Sequence, residues 1–323
     1  SNSLTFNHYG CGQCVCPADD WIRQVGTPAA DVGTAAAFNG SYGDVYIVGT
    51  TGGSMNSQIY NGDTDAFVAE YDNSGEQTPN NTKMQFGSPA RDIATAVEVD
   101  LDKNVYIAGM TEGNIDGSGV PTNPDAWIAK VDTEPNGGAL VWIRRYPTTR
   151  PDGAIDLVFQ GGRILMLVEA TDVATGTKRI PSVLSINLTT GVGTTLWSKI
   201  DDTFDMSAGA IGAFAGSSYF YVLGRSEGLI TGALAPTAGA LTTNGTTGGG
   251  LYIYRVASSN GTDSWLQHWG SPGNDIAGDI FASSTDVYAT GILNAVPEGN
   301  NAVGTYSGSG DIGVARIAGT TGV

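Results

Sequence analysis

The sequence predicts an all-β protein, a β-propeller of five four-stranded blades, from three observations. Short runs of residues rich in Val, Ile, Tyr and Trp are bounded by Gly, Asn, Asp or Pro, which is typical of β-strands. None of these runs shows the periodicity of an amphipathic helix over a helical length. The runs recur in groups of four at a spacing of roughly sixty residues, which is typical of propeller blades.

The clearest copy of the repeat lies at 92–146. Its first run, IATAVEVD (93–100), is followed by a tight turn and by NVYIAGMT (104–111). A long loop rich in Gly, Asn and Pro then leads to DAWIAKVD (125–132), and LVWIRRY (140–146) ends the unit. This copy therefore predicts four strands joined by two short turns and one long loop.

The other copies of the unit predict the remaining strands. The first three strands of each are expected at 34–40, 44–51 and 65–72; 153–160, 163–170 and 180–188; 208–216, 219–226 and 250–257; and 276–283, 286–293 and 311–318. The further fourth strands are expected at 20–26, 83–87, 196–201 and 264–270.

The order of the strands predicts how the ring closes. The repeat opens on a fourth-strand motif, DWIRQVG (20–26), and its last run is a third strand, DIGVARIA (311–318). We expect 20–26 to pair with 311–318 and complete the last blade, because such closure removes open sheet edges. The alternative is a portion of a larger propeller. The expected domains are an N-terminal cysteine-containing segment at 1–19 and the propeller at 20–323.

Charge and composition exclude some classes of function. The chain of 323 residues has a net charge of −17 and only 15 Lys and Arg, which argues against nucleic acid or an anionic membrane as a partner. No apolar run approaches the length of a membrane span. The first residues lack the pattern of a secretory signal, so we expect that any signal has been removed or that the chain is a fragment.

Three cysteines, Cys11, Cys14 and Cys16, lie together before the repeat. Their number allows a local disulfide with one cysteine left for an intermolecular bond, or the end of a small cysteine-rich module. A zinc site would need His8 as a fourth ligand, and a redox motif lacks the βαβ context that it usually has. We favour oxidised, extracellular cysteines and a secreted or cell-surface location.

An aspartate recurs in the turn that precedes the first strand of each unit. A ring of such carboxylates could hold Ca²⁺, which prefers several oxygen ligands. Alternatively, each aspartate accepts hydrogen bonds from backbone N–H groups and fixes its own turn or the neighbouring blade. Repetition in every unit favours the structural role. The residues are Asp31, Asp92, Asp152, Asp205 and Asp275.

Five sequons offer candidate sites for N-glycosylation, in numbers close to what the composition produces by chance. All but one are expected in turns on the face opposite the long loops, so that one face would carry glycans in a eukaryotic source. The candidates are Asn39, Asn80, Asn187, Asn244 and Asn260.

The candidate residues for catalysis are few. His8 lies outside the repeat and His268 lies within a predicted strand, so a Ser–His–Asp triad has no suitable base. A glycosidase would use paired carboxylates, for which Asp31, Asp92 and Glu98 are the candidates. The tryptophans of the predicted strands repeat in register with the fold, which favours packing between blades over sugar binding.

The repeat resembles a known family. Its pattern is D-x-A-x-A-V-x-V-D, then N-V-Y-I-x-G-x-T, then D-A-[FW]-[VI]-A-[KE]-[YV]-D and a tryptophan, and it is similar to the bacterial-type β-propeller repeat (SBBP) family. The match is close at 31–72 and 92–132, recognisable at 275–318 and poor at 152–188. The resemblance implies propeller architecture and a setting among secreted and surface proteins, and it carries no catalytic residues.

These observations predict an extracellular, non-enzymatic propeller with a structural, adhesive or protein-interaction role. Its partners would be other proteins or further copies of itself, joined through the N-terminal segment, as in a surface assembly or filament. The alternatives are a lectin-like propeller that binds glycans and, less favoured, a glycoside hydrolase. No cofactor other than Ca²⁺ is expected.

Overall fold

A computed structural model describes residues 21–77, 81–134, 137–171, 178–199, 205–228, 230, 250–271, 274–296, 308 and 310–319. Within these ranges the chain forms five antiparallel sheets, which we number in chain order. A single-turn 3₁₀ helix, Met55–Ser57, lies in the first long loop. Among the described residues, no helix is long and apolar enough to cross a membrane.

The first and second sheets each contain four strands, ordered as they follow in the chain. Their strands are β1 (Asp31–Asn39), β2 (Asp44–Thr51), β3 (Asp65–Tyr71) and β4 (Lys83–Phe86), followed by β5 (Asp92–Val99), β6 (Asn104–Thr111), β7 (Asp125–Asp132) and β8 (Ala139–Tyr146).

The third and fourth sheets also contain four strands each, and the fifth contains three. Their strands are β9 (Asp152–Gln160), β10 (Arg163–Thr171), β11 (Arg179–Ile186) and β12 (Gly193–Ser198); β13 (Met206–Ala213), β14 (Tyr219–Ser226), β15 (Gly250–Ala257) and β16 (Asp263–Trp269); and β17 (Ile276–Ala282), β18 (Asp286–Leu293) and β19 (Asp311–Ala318).

The first strands of successive sheets lie side by side. β1 packs on β5, β5 on β9, β9 on β13 and β13 on β17, while the other strands of each sheet lie progressively further from this row. Sheets that radiate from a row of first strands form the arrangement of propeller blades. The prediction of an all-β propeller with four-stranded blades is therefore confirmed for the architecture of the individual sheets.

The hydrophobic core is divided among the seams between neighbouring sheets. In the seam between the first and second sheets, the Trp127 side chain is fully buried and meets Phe86 edge-on at 5.6 Å between ring centroids. Trp127 lies opposite Gly109 on β6, where a Cβ atom would come within 1.8 Å of the Ile93 carbonyl oxygen. The glycine is needed because the backbones approach too closely for any side chain.

Each first strand contains a β-bulge at a corresponding place, which the sequence analysis did not predict. In β5 the bulged residue is Thr95, whose hydroxyl donates to the Ala108 carbonyl at 3.2 Å and to the Ala154 carbonyl of the third sheet at 2.8 Å. A bulge redirects a side chain and increases the local twist. Here it also links one sheet to the next.

The predicted closure of the ring is not present among the described residues. Residues 21–27 do not form a strand, and β19 pairs with β18 alone. β1 and β17 do not pack together as the other neighbouring first strands do. Among the described residues, the row of first strands therefore runs from β1 to β17, and we call this row of five sheets the arc.

Candidate functional site

The fifth sheet has one buried face and one exposed face. Ile280, Val287 and Leu293 point into the seam with the fourth sheet and are less than 10% exposed. The opposite face also carries Arg316 and Thr290, but six of its side chains are apolar and are 38% to 86% exposed. We call this set the terminal face: Ile276, Phe281, Tyr288, Ile292, Ile312 and Val314. A contiguous apolar surface of this kind is typical of an interaction site.

The edge of the fifth sheet at β19 has no partner strand within the described ranges of the chain. β19 hydrogen-bonds to β18 over its whole length, and no described strand lies on its other side. In the other four sheets a fourth strand occupies that position. A further strand can add to the edge of a sheet through backbone hydrogen bonds.

The opposite end of the arc carries the N-terminal residues 21–27. The Trp21 ring stacks on Tyr71 at 5.8 Å, and its Nε1 donates to the Asn73 carbonyl at 3.1 Å. Gly75, at φ +73°, lies under the same ring, where a Cβ atom would come within 2.3 Å of it. Arg23 forms an ion pair with Glu76 at 2.7 Å.

The same contacts recur inside the arc, where a fourth strand meets the next sheet. Trp142 of β8 donates from Nε1 to the Leu188 carbonyl of the third sheet at 3.2 Å. Gly191, at φ +71°, lies against its ring, where a Cβ atom would come within 2.6 Å. Residues 21–27 therefore occupy the place of a fourth strand in a sheet that would precede the first.

The repeated aspartates are held by hydrogen bonds within their own turns. Asp92 is fully buried and accepts from the Ser88 backbone N–H at 2.5 Å, the Ser88 hydroxyl at 2.8 Å and the Thr111 hydroxyl at 2.5 Å. Asp31 is bonded in the same way by Thr27 and Thr51. Burial raises the pKa of Asp92, although the hydroxyl of Thr111 opposes this rise. This geometry favours the turn-fixing interpretation.

Asp152 connects neighbouring sheets, whereas Asp275 is bonded in the same way as Asp92. Asp152 accepts from the Ala126 N–H of the second sheet at 2.6 Å, and burial raises its pKa to about 6. Asp275 accepts from the Asn294 N–H at 2.9 Å, and from the Ser271 N–H and hydroxyl at 2.6 Å each.

The alignment of Asp205 with the other aspartates was wrong by one residue. Met206 lies opposite Ser226, as Asp92 lies opposite Thr111, so Met206 holds the repeated position and Asp205 precedes it. Asp205 instead accepts from the backbone N–H and the guanidinium of Arg179.

The calcium hypothesis has no support in the side-chain geometry. Among the described residues, no three histidine, cysteine or acidic side chains are placed to hold one metal ion. Calcium binding by the repeated aspartates therefore rests on the sequence alone.

Two further carboxylates lie along the row of first strands. Asp156 on β9 accepts from the Ile211 N–H of the fourth sheet at 2.9 Å and from the Leu157 N–H at 2.8 Å. Burial, together with the negative charges of Asp279 and Glu98, raises its pKa to about 7. Burial also raises the pKa of Glu98.

Asp156 was missed by the sequence analysis although a signal existed. The corresponding residues are Ala35, Ala96 and Ala210 in three other first strands, so an acidic residue at this position departs from the repeat.

A cavity of about 460 Å³ opens where the third, fourth and fifth sheets meet. It lies beside the ends of β10 and β14 and the starts of β11, β13 and β17. Its walls carry two arginines and two acids, together with small and amide side chains. The lining residues that bear polar groups are Glu169, Arg179, Ser207, Arg225, Asn274 and Asp275.

The described sequons differ in accessibility. Asn39 is only 4% exposed, and its amide nitrogen donates to the Asp100 carbonyl at 3.3 Å, so this side chain is unsuited to glycosylation. Asn187 and Asn260 are exposed in turns. Asn80 and Asn244 lie outside the described residues, as do the three cysteines, Cys11, Cys14 and Cys16.

His268 lies inside the fourth sheet rather than in an accessible site. It is 1% exposed, its Nε2 accepts from the Ile230 N–H at 3.3 Å, and burial lowers its pKa to about 4. A neutral, buried imidazole that already accepts a hydrogen bond is poorly placed to act as a general base.

Comparisons with known proteins show distant similarity. No family model matches the chain. The regulatory protein FlaEY of Caulobacter vibrioides is 24% identical over 265 residues, which cover 76% of this chain and 27% of that protein. The chain thus spans about a quarter of the length of this relative.

Several solved structures are similar at low identity. A protein of unknown function from Dyadobacter fermentans has a TM-score of 0.49 at 12% identity, covering 92% of this chain and 82% of its own. The β-propeller domain of Cps50 (Swd1) from Myceliophteria thermophila has a TM-score of 0.41 at 11% identity, with 80% and 79% covered. The β-propeller domain of the trilobed protease from Pyrococcus furiosus has a TM-score of 0.36 at 11% identity, with 92% and 98% covered. At these TM-scores, none of the three informs the function of this chain.

Proposed function

We propose that this chain is a non-enzymatic structural and interaction module that assembles with further copies of itself through the two ends of the arc. The observation that carries the proposal is the terminal face, six apolar side chains that one sheet exposes beside a strand, β19, for which no described strand is a partner on the outer side. Burying such a face is favourable by about 25 cal/mol per Å² of apolar surface. A partner surface of matching shape would therefore bind it.

The matching surface is the opposite end of a second copy. Residues 21–27 already lie on the first sheet as the fourth strand of a preceding sheet would. Pairing them with β19 of another copy would give the fifth sheet its fourth strand. The same approach would bring Phe38 of β1, which is 63% exposed and lies opposite Val45 on the face that points away from the second sheet, over the terminal face.

A contact between two different ends is heterologous, so it repeats from copy to copy and builds a ring or a filament. Pairing of the same two segments within one chain would instead give the closed five-bladed propeller that the strand order predicts. We favour the second copy because β1 and β17 do not pack together in the folded chain.

The proposal includes a secreted or cell-surface location, since clustered cysteines are typical of oxidising compartments. Disulfides of Cys11, Cys14 or Cys16 could reinforce the contact between copies. The name of the Caulobacter protein indicates a regulatory role for that protein, and binding modules can serve such roles.

The test is light scattering coupled to size-exclusion chromatography over a concentration series, with and without reductant. The wild-type chain should form oligomers that grow with concentration. Val314→Asp, which places a charge on the terminal face, should be monomeric. Leu101→Asp is the matched control, because Leu101 is 77% exposed in a turn of the second sheet, and it should assemble as the wild type does.

Hydrogen exchange of the β19 amides separates the possible results. Oligomers with protected β19 amides that become exchangeable in Val314→Asp support the proposal. A wild-type monomer with protected β19 amides would show closure within one chain and would overturn assembly by this route. A monomer with unprotected amides would overturn the pairing itself.

A further inference from the structure

The cavity where the third, fourth and fifth sheets meet breaks the symmetry of the repeat. The second strand of each sheet has one equivalent position that can be compared. It is the residue that lies opposite the first-strand residue immediately after the repeated aspartate position. Three of them are uncharged, and the two that border the cavity carry opposite charges. In chain order they are Thr50, Met110, Glu169, Arg225 and Ile292.

We propose that this cavity binds a small carboxylate that also carries hydroxyl groups, as a uronic acid does. The departure from the repeat points to a use that the fold itself does not require, because uncharged residues serve at the same place in three other sheets. Ile276 belongs both to the cavity lining and to the terminal face, but the polar groups that would bind the carboxylate do not belong to that face, so the proposal does not require assembly.

Arg225 provides the first donor. Its Nη2 donates to the Asn274 side chain at 3.0 Å, which orients the guanidinium across the seam between the fourth and fifth sheets. Its Nε is buried and has no hydrogen-bond partner among the described residues. A buried donor without an acceptor costs about 1–3 kcal/mol, and a ligand oxygen would remove that cost.

Arg179 provides a second positive charge on the opposite wall. Its guanidinium is bound through Nε and Nη2 to Asp205, which holds the side chain in place while leaving it 34% exposed. Because Asp205 already occupies the Nε and Nη2 atoms of Arg179, this arginine would add positive charge beside a carboxylate whose oxygens are bound by Arg225.

Glu169 provides the complementary acceptor and the selectivity. Its Oε2 accepts from the Ala208 N–H at 2.7 Å. Burial raises the pKa of Glu169. An acceptor beside two cations suits a ligand hydroxyl, and its negative charge disfavours a dianion such as phosphate. A volume of about 460 Å³ lies within the range of small-ligand clefts.

The test is isothermal titration calorimetry of the full chain with D-glucuronate, D-glucose, inorganic phosphate and a short oligoglucuronide. Glucuronate should bind, glucose should bind at least about tenfold more weakly, and phosphate should also be weaker. Tighter binding of the oligomer would identify a polysaccharide as the source of the carboxylate, and equal binding would identify the free sugar acid.

Three variants test the residue roles. Arg225→Met should weaken glucuronate binding by about tenfold or more, which corresponds to about 1.4 kcal/mol. Arg91→Met makes the same change at an arginine beside Glu112 of the second sheet and should bind as the wild type does. Glu169→Gln should improve phosphate binding relative to glucuronate.

The result is interpretable whatever the state of assembly. Val314→Asp should bind glucuronate as tightly as the wild type, so failure of assembly and failure of this site are distinguishable. Absence of glucuronate binding at millimolar concentration would overturn the proposal. So would equal binding by Arg225→Met, provided that its melting temperature shows a folded chain.

Discussion

The second and fifth sheets are built from the same repeat but are covered differently. In β7, the third strand of the second sheet, Trp127 and Ile128 are consecutive and both fully buried, because neighbouring sheets cover both faces. In β19, the third strand of the fifth sheet, Ile317 is 7% exposed but Ile312 and Val314 are 86% and 71% exposed. A strand that is apolar on both faces is suited to burial on both. The comparison teaches that each sheet supplies only half of each seam, and the neighbour supplies the rest.

The largest effect should come from removing a side chain that two sheets share. Trp127→Ala should lower the free energy of unfolding by about 3–5 kcal/mol, because it leaves a cavity in a seam that is filled on both sides. Ile312→Ala in the fifth sheet should change it by less than about 0.5 kcal/mol in the monomer. Urea unfolding followed by circular dichroism measures both. An Ile312→Ala variant as unstable as Trp127→Ala would mean that the terminal face is covered within one chain.

Replacing a turn aspartate should lower stability by a smaller amount, and the loss should be greater for the buried Asp92 than for the part-buried Asp31. Asp92→Ala should cost about 2–3 kcal/mol, because it leaves the buried Ser88 and Thr111 donors without their acceptor. Asp31→Ala, at the open end of the arc, should cost about 1 kcal/mol, since water can reach its donors.

Chelation provides the control for this interpretation. If the aspartates fix their turns without metal, EDTA should leave the melting temperature of the wild type unchanged. A lower melting temperature in EDTA that calcium restores would instead establish the calcium hypothesis for Asp31, Asp92, Asp152, Asp205 and Asp275.

Gly191 and Gly75 each lie against a tryptophan ring, so substituting them allows an internal seam to be compared with the end of the arc. Gly191→Ala should destabilise the fold by about 1–2 kcal/mol, because alanine is strained at positive φ and its Cβ would contact Trp142. Gly75→Ala makes the same conflict with Trp21 and should release residues 21–27 while leaving the unfolding midpoint almost unchanged. Tryptophan fluorescence and hydrogen exchange at 21–27 distinguish the two results. Equal shifts of the midpoint would show that residues 21–27 are part of the core.

The smallest effect should be a change in how the free energy of unfolding depends on pH. The pKa of Asp156 is raised to about 7, above the value of about 3.9 in an unfolded chain, so the native state binds the proton more tightly. Its contribution to stability is therefore fully present below about pH 4 and is lost as the pH rises to about 7.

Asp156→Asn should remove this loss and flatten the stability profile between about pH 4 and pH 7 by at least about 1 kcal/mol. The slope is compared rather than the absolute stability, because an amide cannot accept both hydrogen bonds that Asp156 accepts. The control is Asp286→Asn in the fifth sheet, where hydrogen bonds from Thr285 and Arg316 lower the pKa. Asp286→Asn should keep the loss of stability between pH 4 and 7. An unchanged slope of stability against pH in Asp156→Asn would contradict the assignment of this loss to Asp156.

Much of the fold was predictable from local sequence. The strands expected at 104–111, 125–132 and 311–318 have those bounds in the structure, because alternating apolar residues and flanking turn residues act over a few positions. The unit of four strands was predictable for the same reason. The strand pairing of 20–26 was not predictable, because its expected partner lies some three hundred residues away in the chain. No local signal specifies whether the same copy of the chain or another copy provides that partner.

The candidate site was less predictable. The repeated aspartates were visible as a pattern, but the offset of Asp205 was not, because only the pairing of Met206 with Ser226 sets the register. Glu169 and Arg225 could have been noticed as charges at an otherwise uncharged repeat position. The fact that both residues line one cavity could not have been noticed from the sequence.

The sequence by itself determined the strands, the four-stranded unit, and the tryptophans that repeat in register with it. Only the tertiary structure decided which faces are covered, which acids are buried and where a cavity opens. The physical reason is distance along the chain. A strand is specified by neighbouring residues, whereas a seam joins groups such as Trp142 and Leu188, which are 46 residues apart, or Glu169 and Ala208, which are 39 apart.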